Sequence, residues 1–134
     1  MEGVAFLCYS PSVKCASVPR FHGKEIKLTV EKILEAFDAF KENNFSDQVK
    51  IAWLCDVEGR VLCEIQKMSP DSVTLPKGSD DILAVPESYS RVYLLYLAAM
   101  AELSRGHNDA YAVLFREFEA ALSVYAKYYI RTRG

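Results

Sequence analysis

The stretch between Pro86 and Gly106 sets the tightest constraint on what this chain can become. Proline at a helix start and glycine just past its end bracket a single helix. Tyr89, Val92, Tyr93, Tyr96, Ala99, Met100 and Leu103 fall on that helix at core spacing, and its other faces are nearly as apolar. Leu94, Leu95, Leu97, Ala98 and Ala101 leave Arg91 and Glu102 as the charges of the helix body. A helix that is hydrophobic all round is either central in its domain or set in a subunit interface. Complete burial within one monomer is hard to arrange with four helices at most, so an interface is the expected placement. The candidate contact residues are Tyr89, Tyr93, Leu94, Leu95, Leu97 and Ala98, joined by Tyr128, Arg131 and Arg133 near the carboxy terminus.

Three further helices are predicted around it. Thr29 is an N-cap with Glu31 in the first turn, and Val30, Ile33, Leu34, Phe37 and Phe40 follow at spacings of three and four. Asn43 and Asn44 end that helix, and Ser46 or Asp47 caps the next, which is expected to run to about Lys67. The short turn between them implies antiparallel packing. The second helix places Val49, Ala52, Trp53, Val57, Val61 and Ile65 on one face, while Ile51, Leu54, Cys55 and Leu62 make it apolar on a second side. Gly59 in its middle costs about 1 kcal/mol relative to alanine and hints at a close backbone approach, although simple tolerance explains it equally well. The last helix opens near Asn108 or Asp109. It carries Tyr111, Leu114, Phe115, Phe118, Ala121, Leu122, Tyr125 and Tyr129 on one stripe, with Arg116, Glu117, Glu119 and Lys127 outside.

Between Met68 and Pro86 the periodicity disappears. Turn signals surround the short apolar pieces Val73 to Leu75 and Ile82 to Val85, which are either a small β-hairpin or plain loop. Connections this long are often functional. The expected architecture is therefore mainly α, with about four helices in antiparallel hairpins and a long loop or short β-hairpin between helices two and three. Residues 1–24 read as an irregular arm, and 25–134 as a single helical domain.

Composition excludes several function classes. With 51% hydrophobic and 25% charged residues in 134, the chain is globular and long enough to bury roughly two-thirds of its unfolded surface. Residues 1–67 carry 9 basic and 10 acidic groups, and residues 68–134 carry 7 and 8, so no basic stripe exists for nucleic acid. Lys127, Arg131 and Arg133 suit the negative end of a helix dipole. No apolar run is long enough to span a membrane, and the amino terminus does not read as an export signal.

Chemistry is no better signalled. Cys8, Cys15, Cys55 and Cys63 include no C-x-x-C pair. Cys55 and Cys63, eight residues apart on one helix, lie roughly 12 Å from each other, too far for a disulfide, and are expected to be reduced and buried. Cys8 and Cys15 have the freedom to bridge only if the arm meets an oxidising compartment. His22 and His107 lack a motif that supplies a nucleophile. The carboxylate pairs Glu117 with Glu119 and Asp80 with Asp81 read as solvated surface. Phosphate-binding glycine loops, calcium loops and helical Glu-x-x-His metal motifs are all missing from the sequence. The expectation is a protein without catalytic residues, metal or cofactor.

Two segments carry a family likeness: Lys50 to Ile65 (KIAWLCDVEGRVLCEI) and Leu83 to Leu97 (LAVPESYSRVYLLYL), followed by a tyrosine-rich final helix ending in Tyr128 to Thr132. Together they resemble the head-tail connectors, or adaptors, of tailed phages and prophages of Gram-positive bacteria. The likeness covers about residues 25 to 133 and departs in the first 24, which related proteins generally lack. It implies a virion-assembly protein found in the bacterial cytoplasm and the virion. It also implies a ring of roughly a dozen copies, portal and tail proteins as partners, and DNA passing through the channel without specific recognition. The family has no catalytic residues to carry over. Two other readings stand beside it: a tetratricopeptide-like interaction adaptor, which lacks a second copy at the expected period, and a small enzyme, which lacks a nameable nucleophile or base.

Overall fold

A computed structural model describes residues 26–133. The arm expected for residues 1–24, with Cys8, Cys15 and His22, lies outside the described residues. Four α-helices follow in order: α1 (Val30–Phe40), α2 (Asp47–Arg60), α3 (Arg91–Ser104) and α4 (Asn108–Arg133). The mainly helical expectation holds.

Local chemistry sets the helix limits. The Thr29 hydroxyl accepts from the Lys32 N–H and the Ser46 hydroxyl from the Val49 N–H, each at 3.3 Å, so both expected caps are in place. A single π turn, Val61–Ile65, extends α2 to nearly its expected end. Lys67 then takes the left-handed conformation (φ 62°) that closes the helix. Gly106 (φ 81°) ends α3 as glycine can without strain. The His107 N–H returns to the Glu102 carbonyl at 2.9 Å and the Gly106 N–H to the Leu103 carbonyl at 3.0 Å, which satisfies two carbonyls of the last turn.

The segment from Met68 to Pro86 is tied to α1 by its backbone. Its one bridge joins Ile82 to Thr29, not to the Val73–Leu75 piece. The Val30 and Glu31 N–H groups donate to the Asp81 and Ser79 carbonyls, each at 3.0 Å, and the Leu83 N–H donates to the Leu28 carbonyl at 2.7 Å. The free donors at the start of α1 are thus met by this loop. Asp81 holds the preceding turn by accepting from the Lys77 and Gly78 N–H groups at 2.6 and 3.0 Å.

The core gathers Ile33 and Phe37 of α1, Leu54, Val57 and Val61 of the second helix, Leu83 and Val85 of the loop, and Phe118, Leu122 and Tyr125 of α4 around α3. The interface expected for α3 is corrected here. Tyr93, Leu97 and Ala98 are 0% exposed and Leu95 3%, so these four candidate contact residues lie inside their own chain. The helix packs on α1, α2 and α4, most extensively on α4. Leu28, Leu83 and Val85 add the wall that four helices alone would lack.

The α2 face is also corrected in part. Val57 and Val61 point inward as expected, but Val49 and Ala52 are exposed, Trp53 is half-buried, and Lys50, Leu54 and Glu58 take core positions. Trp53 stacks edge-on against Phe45 (centroids 5.1 Å apart). Cys55 and Cys63 are free and half-buried rather than fully buried. Gly59 has room for a side chain, since a Cβ there would meet the Leu75 Cδ2 atom at an ordinary 3.9 Å.

Two outcomes check this packing. Leu97→Ala is expected to lower stability by about 2–5 kcal/mol, measured by chemical denaturation followed by helical circular dichroism. Gly59→Ala is expected to raise it by about 1 kcal/mol in the same assay, because the helix gains propensity without a clash.

Candidate functional site

Among the described residues three charged side chains sit inside the fold, and each joins separate elements. Glu58 on α2 is 3% exposed. Its Oε1 accepts from the Tyr93 hydroxyl at 2.6 Å and its Oε2 from the Ala84 N–H at 2.7 Å, while the Val85 N–H donates to the Tyr93 oxygen at 3.0 Å. One carboxylate therefore joins α2, the loop and α3. Burial pushes the Glu58 carboxyl up from its usual range, and the Tyr93 and Ala84 hydrogen bonds oppose that shift. Burial, reinforced by the neighbouring Glu58 charge, pushes the Tyr93 phenol far up.

Glu102, the one acid of the α3 body, is 6% exposed. Its carboxylate meets the Lys41 ammonium at 2.5 Å, the His107 Nδ1 atom at 2.6 Å and the Arg105 guanidinium at 3.6 Å. Hydrogen bonds from Lys41 and His107 hold its carboxyl below the ordinary range. Arg105 also donates to the Glu42 carbonyl at 3.1 Å and lies over the Phe45 ring, latching the α1–α2 turn to the α3–α4 turn. Lys50 is 3% exposed and bonds to Asp38 of α1 at 2.9 Å, with Asp47 3.6 Å away. The Lys50 hydrogen bond, and then that of Asn43, lowers the Asp38 carboxyl.

The chemistry open to these groups is limited by access. Tyr93 is fully enclosed, and a phenol with so high a pKa is not ionised at neutral pH. The His107 side chain is exposed, and its Nδ1 atom is engaged by the Glu102 carboxylate. Burial raises the Cys55 thiol, and it donates to the Pro76 carbonyl at 3.2 Å, which disfavours the reactive thiolate. Among the described residues, no group of three acidic, histidine or cysteine side chains is placed to hold a metal ion. No helix among them is long and apolar enough to cross a membrane.

The remaining candidate contact residues divide by depth. Tyr89 and Leu94 are half-buried, and Tyr89 stacks on Tyr128 and Tyr125 with centroids 4.9 and 5.7 Å apart. These rings tie the short 3-10 turn before α3 to the far end of α4. Beside them Ser88, Tyr89, Arg91, Val92, Ala121 and Val124 line a shallow cleft of about 280 Å³. Arg131 is exposed, and Arg133 belongs to the last turn of α4. Tyr96 donates to Asp56 at 3.3 Å, and partial burial, with the Asp56 charge, pushes its phenol up to about 12.

The outer side of α4 is open to solvent, with Val113, Val124 and Ile130 46%, 55% and 65% exposed among charged residues. The buried contacts of Lys50, Glu58 and Glu102 carry no motif in the sequence. Glu58 alone leaves a signal, a lone charge whose helical neighbours Leu54, Cys55, Val61 and Leu62 are apolar. No family model, curated protein or solved structure matches the chain.

The two buried acids work in opposite directions with pH. Glu102, lowered on folding, contributes stability above the usual carboxylate pKa of about 4.3, and that contribution is lost as pH falls through its lower folded value. Glu58, raised on folding, contributes stability below that pKa, and that contribution is lost as pH rises through its higher folded value. Denaturation of Glu102→Gln and Glu58→Gln across the acid range should show the deficit of the first variant growing with pH and that of the second shrinking. Tyr93→Phe is expected to cost about 1–3 kcal/mol by leaving Glu58 and the Val85 N–H short of a partner.

Proposed function

We propose that this chain is a non-enzymatic structural subunit of the head-tail connector kind, a helical block that joins copies of itself into a ring between the portal and tail of a phage. The observation that carries this reading is the meeting of the two segments that bear the likeness. Glu58 of the first bonds to Ala84 and to Tyr93 of the second, and Tyr93 accepts from Val85 of the second. The likeness therefore follows one packed unit rather than two separate stretches. The use of all three buried charges as clamps between elements also favours a building block over a reaction centre.

On this reading the partners are further copies of the chain, a portal protein and a tail protein, with DNA passing through the channel unread. The protein acts in the host cytoplasm and in the virion. The test is to mix the purified chain with the portal protein encoded in the same genome and to follow the mixture by sedimentation and negative-stain electron microscopy. Cosedimentation with a ring of subunits on the portal is the expected result. Failure to bind that portal, together with a gene lying among housekeeping genes, would overturn the assignment.

A further inference from the structure

The outer face of α4 carries an exposed stripe in which apolar and charged side chains are mixed. Val113, Glu117, Ala120, Val124, Lys127 and Arg131 recur at alternating spacings of four and three, and all six are exposed. That spacing keeps the six side chains on one stripe of the helix. The opposite stripe, Phe118, Leu122 and Tyr125, is already spent on the core. Among the described residues neither Glu117 nor Lys127 makes an ion pair.

The order of residues along this stripe selects its occupant. The acid lies toward the amino-terminal end and the bases toward the carboxy-terminal end. A second α4 laid antiparallel, with the two-fold axis level with Leu122, sets Glu117 opposite Lys127 and Ala120 opposite Val124. It also sets Val113 opposite Arg131, whose aliphatic stem can cover the valine. Each pair occurs twice, because a two-fold contact uses the same patch on both copies. A parallel arrangement would set Glu117 against Glu117 and Lys127 against Lys127, which like-charge repulsion disfavours. Ala120 leaves room for the helices to approach closely beside Val124.

We infer that a second copy of this chain docks antiparallel along the outer face of α4, forming a two-fold dimer held by the Ala120–Val124 contact and the Glu117–Lys127 ion pairs. The stripe runs about 27 Å at the helical rise. A contact along one helix face of this length is small, so the dimer is weak and reversible. This dimer does not rest on the connector reading. A two-fold contact closes after two copies, whereas a ring requires a different, head-to-tail surface.

Sedimentation equilibrium of the full chain over about 1–500 µM tests the inference, with circular dichroism to verify helicity. The wild-type chain is expected to pass from monomer to dimer. Glu117→Lys and Lys127→Glu, both at exposed positions that leave the core intact, are each expected to weaken self-association at least tenfold. Mixed in equal amounts, the two variants should form a heterodimer at least as tight as the wild-type dimer, because both pairs between positions 117 and 127 are then opposite in charge. A chain that stays monomeric throughout, variants that associate like wild type, or a mixture that fails to pair would overturn the proposal. So would preferential pairing of Glu117→Lys with the wild-type chain, which is the signature of parallel helices.

Discussion

Glu58 places a carboxyl group in the middle of a helical core, where an ionised group without partners would cost on the order of several kcal/mol. The rest of the molecule is arranged to supply those partners. The Ala84 N–H reaches one oxygen and the Tyr93 hydroxyl the other, and Val85 completes the set by bonding to Tyr93. Two of these donors belong to the loop and one to α3. The loop that carries Ala84 and Val85 is in turn anchored by Asp81 and Ser79 to the first turn of α1. Removing the carboxylate would thus loosen a connected path from α2 through the loop to α1 and α3, and not merely one contact.

Glu102 repeats the same device at the other end of the bundle. Its partners Lys41, Arg105 and His107 come from the two turns that close the helix hairpins. A buried ion pair is weak evidence for net stability, because the desolvation of both groups offsets much of the attraction. What such a pair does secure is geometry: Lys41 meets Glu102 only if α1 lies alongside α3 in one register. Lys50 and Asp38 fix α1 against α2 in the same way. Three polar clamps therefore specify how otherwise interchangeable apolar faces are aligned.

Those clamps also mark where the fold was and was not legible in the sequence. Thr29, Ser46 and Gly106 act where local chemistry places them, since capping depends on neighbours within a few residues. The stripe of α4 through Phe118, Leu122 and Tyr125 was equally plain from its period. The inward face of α2 was obscured because Lys50 and Glu58 occupy core positions, and a pattern of apolar residues assigns such side chains to solvent. The partners that tie them to other elements lie at sequence separations of 12 to 35 residues, which no local pattern reports. The interface expected for α3 came from counting helices alone, without the wall that Leu28, Leu83 and Val85 build.

Burial of Tyr93, Leu95, Leu97 and Ala98 changes where an oligomer can be held. Leu95 and Leu97 cannot serve two purposes, and α4, packed beside them, presents an exposed outer side. At 26 residues α4 is far longer than the 14-residue α3 it packs against. Its inner stripe extends past α3 to the tyrosines that stack on Tyr89. The length that lets α4 cover both α3 and the turn before it also gives its outer side five turns of continuous exposed stripe. One helix is thereby committed twice, to the core through Phe118, Leu122 and Tyr125 and outward through Val113, Ala120 and Val124. The two stripes are separable by mutation, because a change at an exposed position of α4 alters association without entering the core.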